Sequence, residues 1–177
     1  MPHIPLDPHL PGISALFAYR PETAAPLGQL GEVLLRGPSS LTVGERELIA
    51  TVVSNGNECR FCTGSHAAAA AETIEGGRAV VDAACGGIDD APVSAKVKAL
   101  LRIALAVRET GRAVTGELVA AARDEGATDL ELHDTVLIAA SFCLFNRYVD
   151  GLGTIAPDDQ AVYDQIGKKL ATEGYAR

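Results

Sequence analysis

Apolar residues recur at three- and four-residue spacing along most of the chain, and this periodicity constrains the fold more than any other feature. No segment alternates apolar and polar residues over the length of a half-buried strand. Trp is absent, and Phe and Tyr number four each, which favours helices over a β-sandwich. The 177 residues are enough for a hydrophobic core. We therefore predict an all-α fold, a helical bundle in a single domain spanning residues 1–177.

Local start and stop signals divide the chain into helices. Thr42 with Glu45 and Thr128 with Glu131 are capping boxes, so both pairs predict helix starts. Residues 1–12 are rich in proline and show no periodicity, so we expect an extended N-terminal arm on the surface. The other helices are predicted at 13–19, 23–35, 57–71, 78–85, after Ser94, after Thr115 and at 157–170.

Apolar residues recur at helical spacing on several of these helices, among them the helices after Thr42 and Thr128. The face of the helix after Thr42 consists of Leu48, Ile49, Val52 and Val53. The helix after Thr128 is predicted to carry the apolar residues Leu132, Val136, Leu137, Ala140 and Leu144. Five consecutive alanines at 67–71 favour helix and would allow a second helix to approach closely.

The charge of the chain limits its partners. A formal net charge of −8 argues against binding to nucleic acid or to an anionic membrane. No apolar run approaches the length of a bilayer, and the N-terminal MPHIPLDPHLPG has no signal-peptide core. We therefore expect a soluble cytoplasmic protein. In that compartment a C-x-x-C pair is more often catalytic, redox-active or metal-binding than a permanent disulfide.

Such a pair occurs in the segment Asn57 to His66, which reads NECRFCTGSH. If the segment is helical from Asn57, then Cys59, Cys62 and His66 share one face, because a helix turns once every 3.6 residues or so. A helix N-terminus favours thiolate over thiol, and the thiolate is the nucleophile. The spacing therefore predicts a reactive dithiol with a proton-handling imidazole beside it.

The residues EREL-I-A, followed by NECRFCTGSHAAAA, resemble the alkylhydroperoxidase D / carboxymuconolactone decarboxylase superfamily, and more narrowly its uncharacterised peroxidase-related branch. The signature of the family is a Glu twelve residues ahead of a C-x-x-C and a His four residues after the second Cys. Glu47, Cys59, Cys62 and His66 match these positions. The late FNRYVDGLG segment also looks like the closing helix of that branch.

The resemblance implies an all-α fold. It also implies a homo-oligomer, either a trimer or a dimer of trimers. It also implies a peroxidase cycle without a bound cofactor or metal. Cys62 would attack a hydroperoxide and become a sulfenic acid, and Cys59 would resolve it as a disulfide. Glu47 and His66 would form the relay that deprotonates Cys62. Family members take electrons from a partner disulfide reductase, so an unknown reductant of this kind is expected.

One position departs from the family pattern. Well-studied members carry a second His just before the second cysteine, and this chain has Phe61 there. We therefore expect a weaker or differently tuned peroxidase, with Phe61 as a pocket wall or subunit contact. Glu58 is expected to raise the pKa of the neighbouring Cys59.

Other polar and sulfur-bearing residues are expected to be structural. Cys85 and Cys143 are interpreted as buried apolar positions. Asn146, Arg147 and Asp150 are interpreted as a buried polar network or an Arg–Asp i,i+3 pair rather than as catalytic groups.

Two alternatives to a peroxidase stay open. One is a decarboxylase acting on a lactone, although that branch of the family does not rely on a C-x-x-C. The other is a non-enzymatic redox or zinc-binding module. A zinc site would need a fourth ligand to join the dithiol and His66, and the candidates for it are Cys85, Cys143 and His133.

Overall fold

The structure, a computed structural model, describes residues 1–175. These residues form nine α-helices and two short 3₁₀ turns (Ile88–Asp90 and Gly111–Ala113), without a strand, so the all-α, single-domain prediction is confirmed. The helices are α1 (Ile13–Tyr19), α2 (Pro21–Arg36), α3 (Val43–Gly56), α4 (Arg60–Thr73), α5 (Gly77–Gly86), α6 (Ala95–Glu109), α7 (Gly116–Asp124), α8 (Asp129–Gly151) and α9 (Gln160–Glu173).

The helix starts predicted from a Ser or Thr cap are confirmed, and several other boundaries differ. Both predicted capping boxes are present, at Thr42 and Thr128. Helix α2 begins two residues early and continues through Pro26, while α9 is shifted about one turn toward the C-terminus. Helix α4 begins at Arg60 rather than near Asn57, with consequences for the dithiol described below.

Helix α3 lies at the centre of the molecule. Its predicted apolar face is buried, in a core shared with α2, α6 and α8. The burial extends around the whole helix, and it includes the polar side chains of Arg46, Glu47, Thr51 and Ser54. Because buried polar groups need partners, the residues around α3 must supply hydrogen bonds as well as apolar contacts.

The apolar residues predicted on α8 do not share one buried face. Leu132 is buried, but Val136, Ala140 and Leu144 are exposed and Leu137 is half-buried. Apolar residues lie on nearly all sides of this helix, so their spacing does not select a face. The aromatic side chains, which bury the largest area, decide the orientation, and the buried set is Leu132, Ile138, Ala139, Phe142, Phe145 and Val149.

Helices α4 and α9 approach closely along the alanine run, as the sequence predicts. A Cβ added to Gly167 of α9 would lie 2.4 Å from the Cβ of Ala68. A glycine is therefore required on one helix where an alanine is present on the other, and this contact fixes α9 against α4.

The N-terminal arm lies against the start of α4. It contains no helix, and the backbone N–H groups of His3 and Gly12 donate to the carbonyls of Leu152 and Ile155. Gly12 has a φ of 52°, and a Cβ there would lie 2.1 Å from the Phe61 ring. Phe61 therefore packs inside the chain, which corrects its interpretation as a pocket wall or subunit contact. It belongs to a second, smaller apolar cluster with Leu16, Cys59, Cys62, Val149 and Tyr163.

None of the helices within residues 1–175 is both long enough and apolar enough to cross a membrane.

Glu131 forms a buried polar contact at the start of α8. Its carboxylate accepts hydrogen bonds from Lys96 Nζ (2.7 Å), Ser40 Oγ (2.9 Å) and the Thr128 N–H (2.8 Å). Burial alone would raise the pKa of Glu131, but these bonds outweigh burial and lower the pKa to about 2. Its charged form therefore favours the folded state.

We expect Glu131→Gln to lower the free energy of unfolding by roughly 1–3 kcal/mol near neutral pH. The stabilising contribution is complete above the pKa of an unfolded-chain glutamate, about 4.3, and is lost as pH falls toward 2. Urea unfolding at neutral pH and at acidic pH measures both effects. The exposed Glu125→Gln serves as a control, with an expected change within about 0.5 kcal/mol. A difference between Glu131→Gln and wild type that stays constant as pH falls would contradict this account.

Candidate active site

The dithiol lies at the corner between α3 and α4. The Glu58 N–H donates to the Asn55 carbonyl (3.0 Å) and the Cys59 N–H to the Ser54 carbonyl (3.1 Å), the two bonds of a Schellman motif. Glu58 occupies the left-handed position of that motif, with a φ of 58°, where glycine is usual. Cys59 is thereby placed as the N-cap of α4, outside the helix in extended backbone, so the expectation that it lies within the helix is wrong.

Cys62 occupies the first turn of α4, where the positive end of the helix dipole favours a thiolate. Both cysteines are free, and both are buried, with exposures of 0% for Cys59 and 4% for Cys62. Access of a reagent to the sulfur atoms therefore depends on the residues that cover this corner.

The two thiols differ in acidity. A hydrogen bond from Cys59 lowers the pKa of Cys62 against the opposing effect of burial, with further lowering from the charge of His66 and a hydrogen bond from Asn146. The same contact raises the pKa of Cys59, and burial, the charge on Cys62 and the Asp150 carboxylate add to that rise. Cys62 is therefore the sulfur that ionises first. Asp150, and not Glu58, is the carboxylate that raises the pKa of Cys59.

Glu47 and His66 lie together although they are on different helices. Glu47 Oε2 of α3 is 2.8 Å from His66 Nδ1 of α4. The glutamate is completely buried and the histidine is 9% exposed. With Nδ1 bonded to the carboxylate, the Nε2 side of the ring is left to exchange protons elsewhere.

Two residues of this cluster were not predicted from the sequence. Arg36 Nη2, at the end of α2, is 2.7 Å from Glu47 Oε1. The Tyr175 hydroxyl donates to the same oxygen (2.6 Å), and its ring stacks parallel to His66 with centroids 5.9 Å apart. In sequence Arg36 is an ordinary basic residue in a last helical turn, and Tyr175 follows the last helix without a motif. No local signal could have found either residue.

These contacts keep Glu47 ionised. Burial alone would raise its pKa, but His66, Arg36 and Tyr175 outweigh burial and lower it. Burial and the charge of Glu47 raise the pKa of Tyr175 well above its ordinary value, so its hydroxyl keeps its proton and acts as a donor. The buried cluster thus holds one carboxylate with three donors around it.

Asn146 and Asp150 of α8 are each hydrogen bonded to one thiol of the dithiol. Asn146 is buried, donates to Ser54 Oγ (3.0 Å) and accepts from Asn57 Nδ2 (2.8 Å), which confirms the expected polar network at this residue. The Cys59 thiol donates to Asp150 Oδ1 (3.4 Å). Two residues interpreted as structural therefore touch the dithiol.

The expected Arg147–Asp150 pair does not form. Arg147 is exposed and donates to the carbonyl of Cys143 at 2.9 Å instead. An open cleft of about 540 Å³ lies over this region, lined by Asn57, Asn146, Arg147, Asp150 and Gly151. Asn146 and Asp150, which are each hydrogen bonded to one thiol, therefore separate the dithiol from the cleft that they line.

Within the part of the chain that the structure describes, no candidate for a fourth zinc ligand completes a metal site with the dithiol and His66. Among residues 1–175, no group of three or more His, Cys, Asp or Glu side chains is arranged to hold a metal ion. Cys85 and Cys143 are half-buried rather than fully buried, and His133 is exposed.

Residues 21–104, which contain all four predicted site residues, match the model of the carboxymuconolactone decarboxylase family. The chain is similar to the crystal structure of the alkylhydroperoxidase AhpD core of Ralstonia eutropha JMP134, an uncharacterized peroxidase-related protein, with a TM-score of 0.79 and 27% identity over 90% of this chain and 82% of that one.

An uncharacterized peroxidase-related protein from Silicibacter sp. TM1040 shares the fold, with a TM-score of 0.76 and 23% identity over 85% of this chain and 76% of that one. No curated protein matches the chain significantly.

We expect Cys59→Ala to raise the pKa of Cys62, because the hydrogen bond from Cys59 is the main cause of the lowered value. The rate of Cys62 alkylation by iodoacetamide as a function of pH measures this pKa. Cys85→Ser and Cys143→Ser should both be present, so that Cys62 is the thiol followed, and the same background with Cys59 retained is the control. An unchanged or lower midpoint in Cys59→Ala would contradict the assignment.

Tyr175→Phe should lower the free energy of unfolding by about 1–2 kcal/mol, because it removes a buried hydrogen bond to a charged group while keeping the ring. Urea unfolding measures the difference. Tyr19→Phe, at a tyrosine that is 54% exposed, is the matched control, and its change should stay within about 0.5 kcal/mol. Equal stability of the two variants would mean that the Tyr175 hydroxyl contributes nothing at Glu47.

Proposed function

We propose that this chain, which belongs to the alkylhydroperoxidase D / carboxymuconolactone decarboxylase superfamily, is a thiol-dependent peroxidase. It would reduce hydrogen peroxide or organic hydroperoxides through a Cys59–Cys62 dithiol/disulfide cycle. The observation that carries the proposal is the different surroundings of the two thiols. Cys62 lies in the first turn of α4, where the helix dipole favours its thiolate, whereas Cys59 lies outside the helix and its thiol donates a hydrogen bond to Asp150. A peroxidatic and a resolving cysteine need this difference.

In the first step the Cys62 thiolate attacks one oxygen of the hydroperoxide. The O–O bond breaks, the sulfur becomes a sulfenic acid, and the other oxygen leaves and takes up a proton as alcohol or water. His66 is the group that holds the proton lost by Cys62 and returns it to the leaving oxygen. Glu47 orients the imidazole and stabilises its charged form, and Arg36 and Tyr175 keep Glu47 ionised in that position.

In the second step the Cys59 sulfur attacks the Cys62 sulfenic acid. The disulfide forms and water leaves, so the hydroperoxide has received two electrons from the dithiol. A dithiol reductant then returns these electrons and restores both thiols. The cycle needs no bound cofactor or metal.

Phe61 bears on the strength of this activity. The ring is buried against Gly12 and Tyr163, so it supplies no titrating group between the two cysteines. Proton transfer at Cys62 would then depend on His66 alone, held in place by Glu47 and its partners. This favours a weaker or differently tuned peroxidase than the family members that have a second histidine.

A cytoplasmic homo-oligomer, as trimers or dimers of trimers, is part of the same proposal. The exposed apolar side chains of Val136, Ala140 and Leu144 on α8 offer a surface for such contacts.

A lactone decarboxylase is the second candidate, because the matching family model carries that activity in its description. Such an enzyme would not need the dithiol. Lactone turnover retained by the double variant Cys59→Ser/Cys62→Ser would favour this candidate over the peroxidase.

Cys62→Ser should abolish peroxide consumption, because serine cannot form the sulfenic acid. Intact mass and free-thiol titration, before and after one equivalent of cumene hydroperoxide, test the cycle directly. Wild type should lose two thiols and two hydrogens, while Cys62→Ser should keep its thiols. Cys85→Ser and Cys143→Ser are matched controls that should react as wild type does. Full peroxide turnover by Cys62→Ser would rule out the proposed cycle.

A further inference from the structure

The proton of the Cys59 thiol has two acceptors. One is the Cys62 sulfur, and this bond lowers the pKa of Cys62. The other is Asp150 Oδ1, 3.4 Å from the Cys59 sulfur, on the wall of the open cleft. A thiol has a single proton, so it can donate to one of these acceptors at a time.

Oxidation of Cys62 changes which of the two acceptors receives the hydrogen bond from the Cys59 thiol. In the reduced protein the Cys62 thiolate carries a negative charge and accepts strongly. A sulfenic acid is neutral, so this attraction is lost when Cys62 is oxidised. Asp150 then remains as the charged acceptor, and among residues 1–175 it is the carboxylate that is hydrogen bonded to Cys59.

The resolving step needs such an acceptor. Cys59 is completely buried and keeps its proton in the reduced protein, whereas attack on the sulfenic sulfur requires a thiolate. His66 and Glu47 form their hydrogen bonds with each other and with Arg36 and Tyr175, and neither is hydrogen bonded to Cys59.

We propose that Asp150 is the catalytic base of disulfide closure, an inference that rests on the proposed peroxidase function. The proton moves from the Cys59 sulfur to Asp150 Oδ1 as the S–S bond forms and the S–O bond of the sulfenic acid breaks. The hydroxide that leaves takes up this proton and departs as water into the cleft. Asp150 returns to its carboxylate form, and the pair of Cys59 and Asp150 never carries more than one negative charge.

Electrostatics and proton transfer predict opposite effects of removing this carboxylate. As a fixed charge, Asp150 raises the pKa of Cys59 and so opposes the thiolate. Asp150→Asn would then speed closure if the residue acted by charge alone. If Asp150 accepts the proton, the same variant slows closure, by roughly a hundredfold for the loss of a general base.

The test follows one turnover after mixing with hydrogen peroxide, with dimedone to trap the sulfenic acid and mass spectrometry to count disulfide. We expect Asp150→Asn to form the sulfenic acid within about twofold of the wild-type rate, which would show that the fold and Cys62 are intact. We expect the same variant to close the disulfide roughly a hundredfold more slowly. Asp150→Glu should recover part of that loss. Closure by Asp150→Asn that is as fast as wild type, or faster, overturns the inference, as does an equal loss of both steps in both variants.

Asp158→Asn is the matched control. Asp158 is an exposed carboxylate bonded to Arg60, the residue next to Cys59, and it is hydrogen bonded to neither thiol. The control removes one negative charge near the same corner, and both steps should keep wild-type rates.

A second arm uses diamide, which separates this inference from the proposed function. The Cys62 thiolate adds to the N=N bond of diamide, and Cys59 then displaces the hydrazine to form the same disulfide. If wild type fails to react with peroxide, the proposed function falls, while slow closure by Asp150→Asn in the diamide arm still supports Asp150 as the base. If Asp150→Asn closes the disulfide with diamide at the wild-type rate, the assignment of Asp150 as the base is overturned, and the proposed peroxidase function is unaffected.

Discussion

A buried ionised carboxylate, Glu47, is the constraint on which the rest of the candidate site depends. Removing a carboxylate from water costs several kcal/mol unless its oxygens are paired. His66 bonds one oxygen, and Arg36 and Tyr175 share the other. These partners come from α4, the end of α2 and the segment after α9. Hydrogen bonds to one buried carboxylate therefore join parts of the chain that are far apart in sequence. The position of His66 beside the dithiol follows from this set of contacts.

The corner between α3 and α4 gives the two cysteines different properties. The turn at Glu58 ends α3 and leaves Cys59 as the cap of α4, while Cys62 sits in the first turn of that helix. Cys62 meets a thiol donor, a nearby imidazole and the amide of Asn146, all of which favour its thiolate. Cys59 meets a thiolate and the Asp150 carboxylate, both of which keep its proton in place. The two cysteines, three residues apart, thus differ in pKa because Cys62 is surrounded by hydrogen-bond donors and Cys59 by negative charge.

Most of the helical organisation could be predicted from the sequence. The capping boxes at Thr42 and Thr128 were sufficient to locate two helix starts, because the bonds that define them join residues three positions apart. The grouping of Glu47 with His66 came from the family resemblance, and the structure brings the two side chains within 2.8 Å. The face of α8 could not be predicted, because a helix that is apolar on nearly all sides carries no directional signal.

The sequence by itself determined the all-helical fold, the helix caps and the spacing of the dithiol, since all of these depend on local contacts. Only the tertiary structure decided what surrounds the sulfur atoms. Arg36 and Tyr175 reach Glu47 from distant segments, and Asp150 reaches Cys59 across 91 residues of chain. Contacts of this kind depend on how whole helices pack. A local pattern of residue types does not specify which distant side chain will contact a buried charged group.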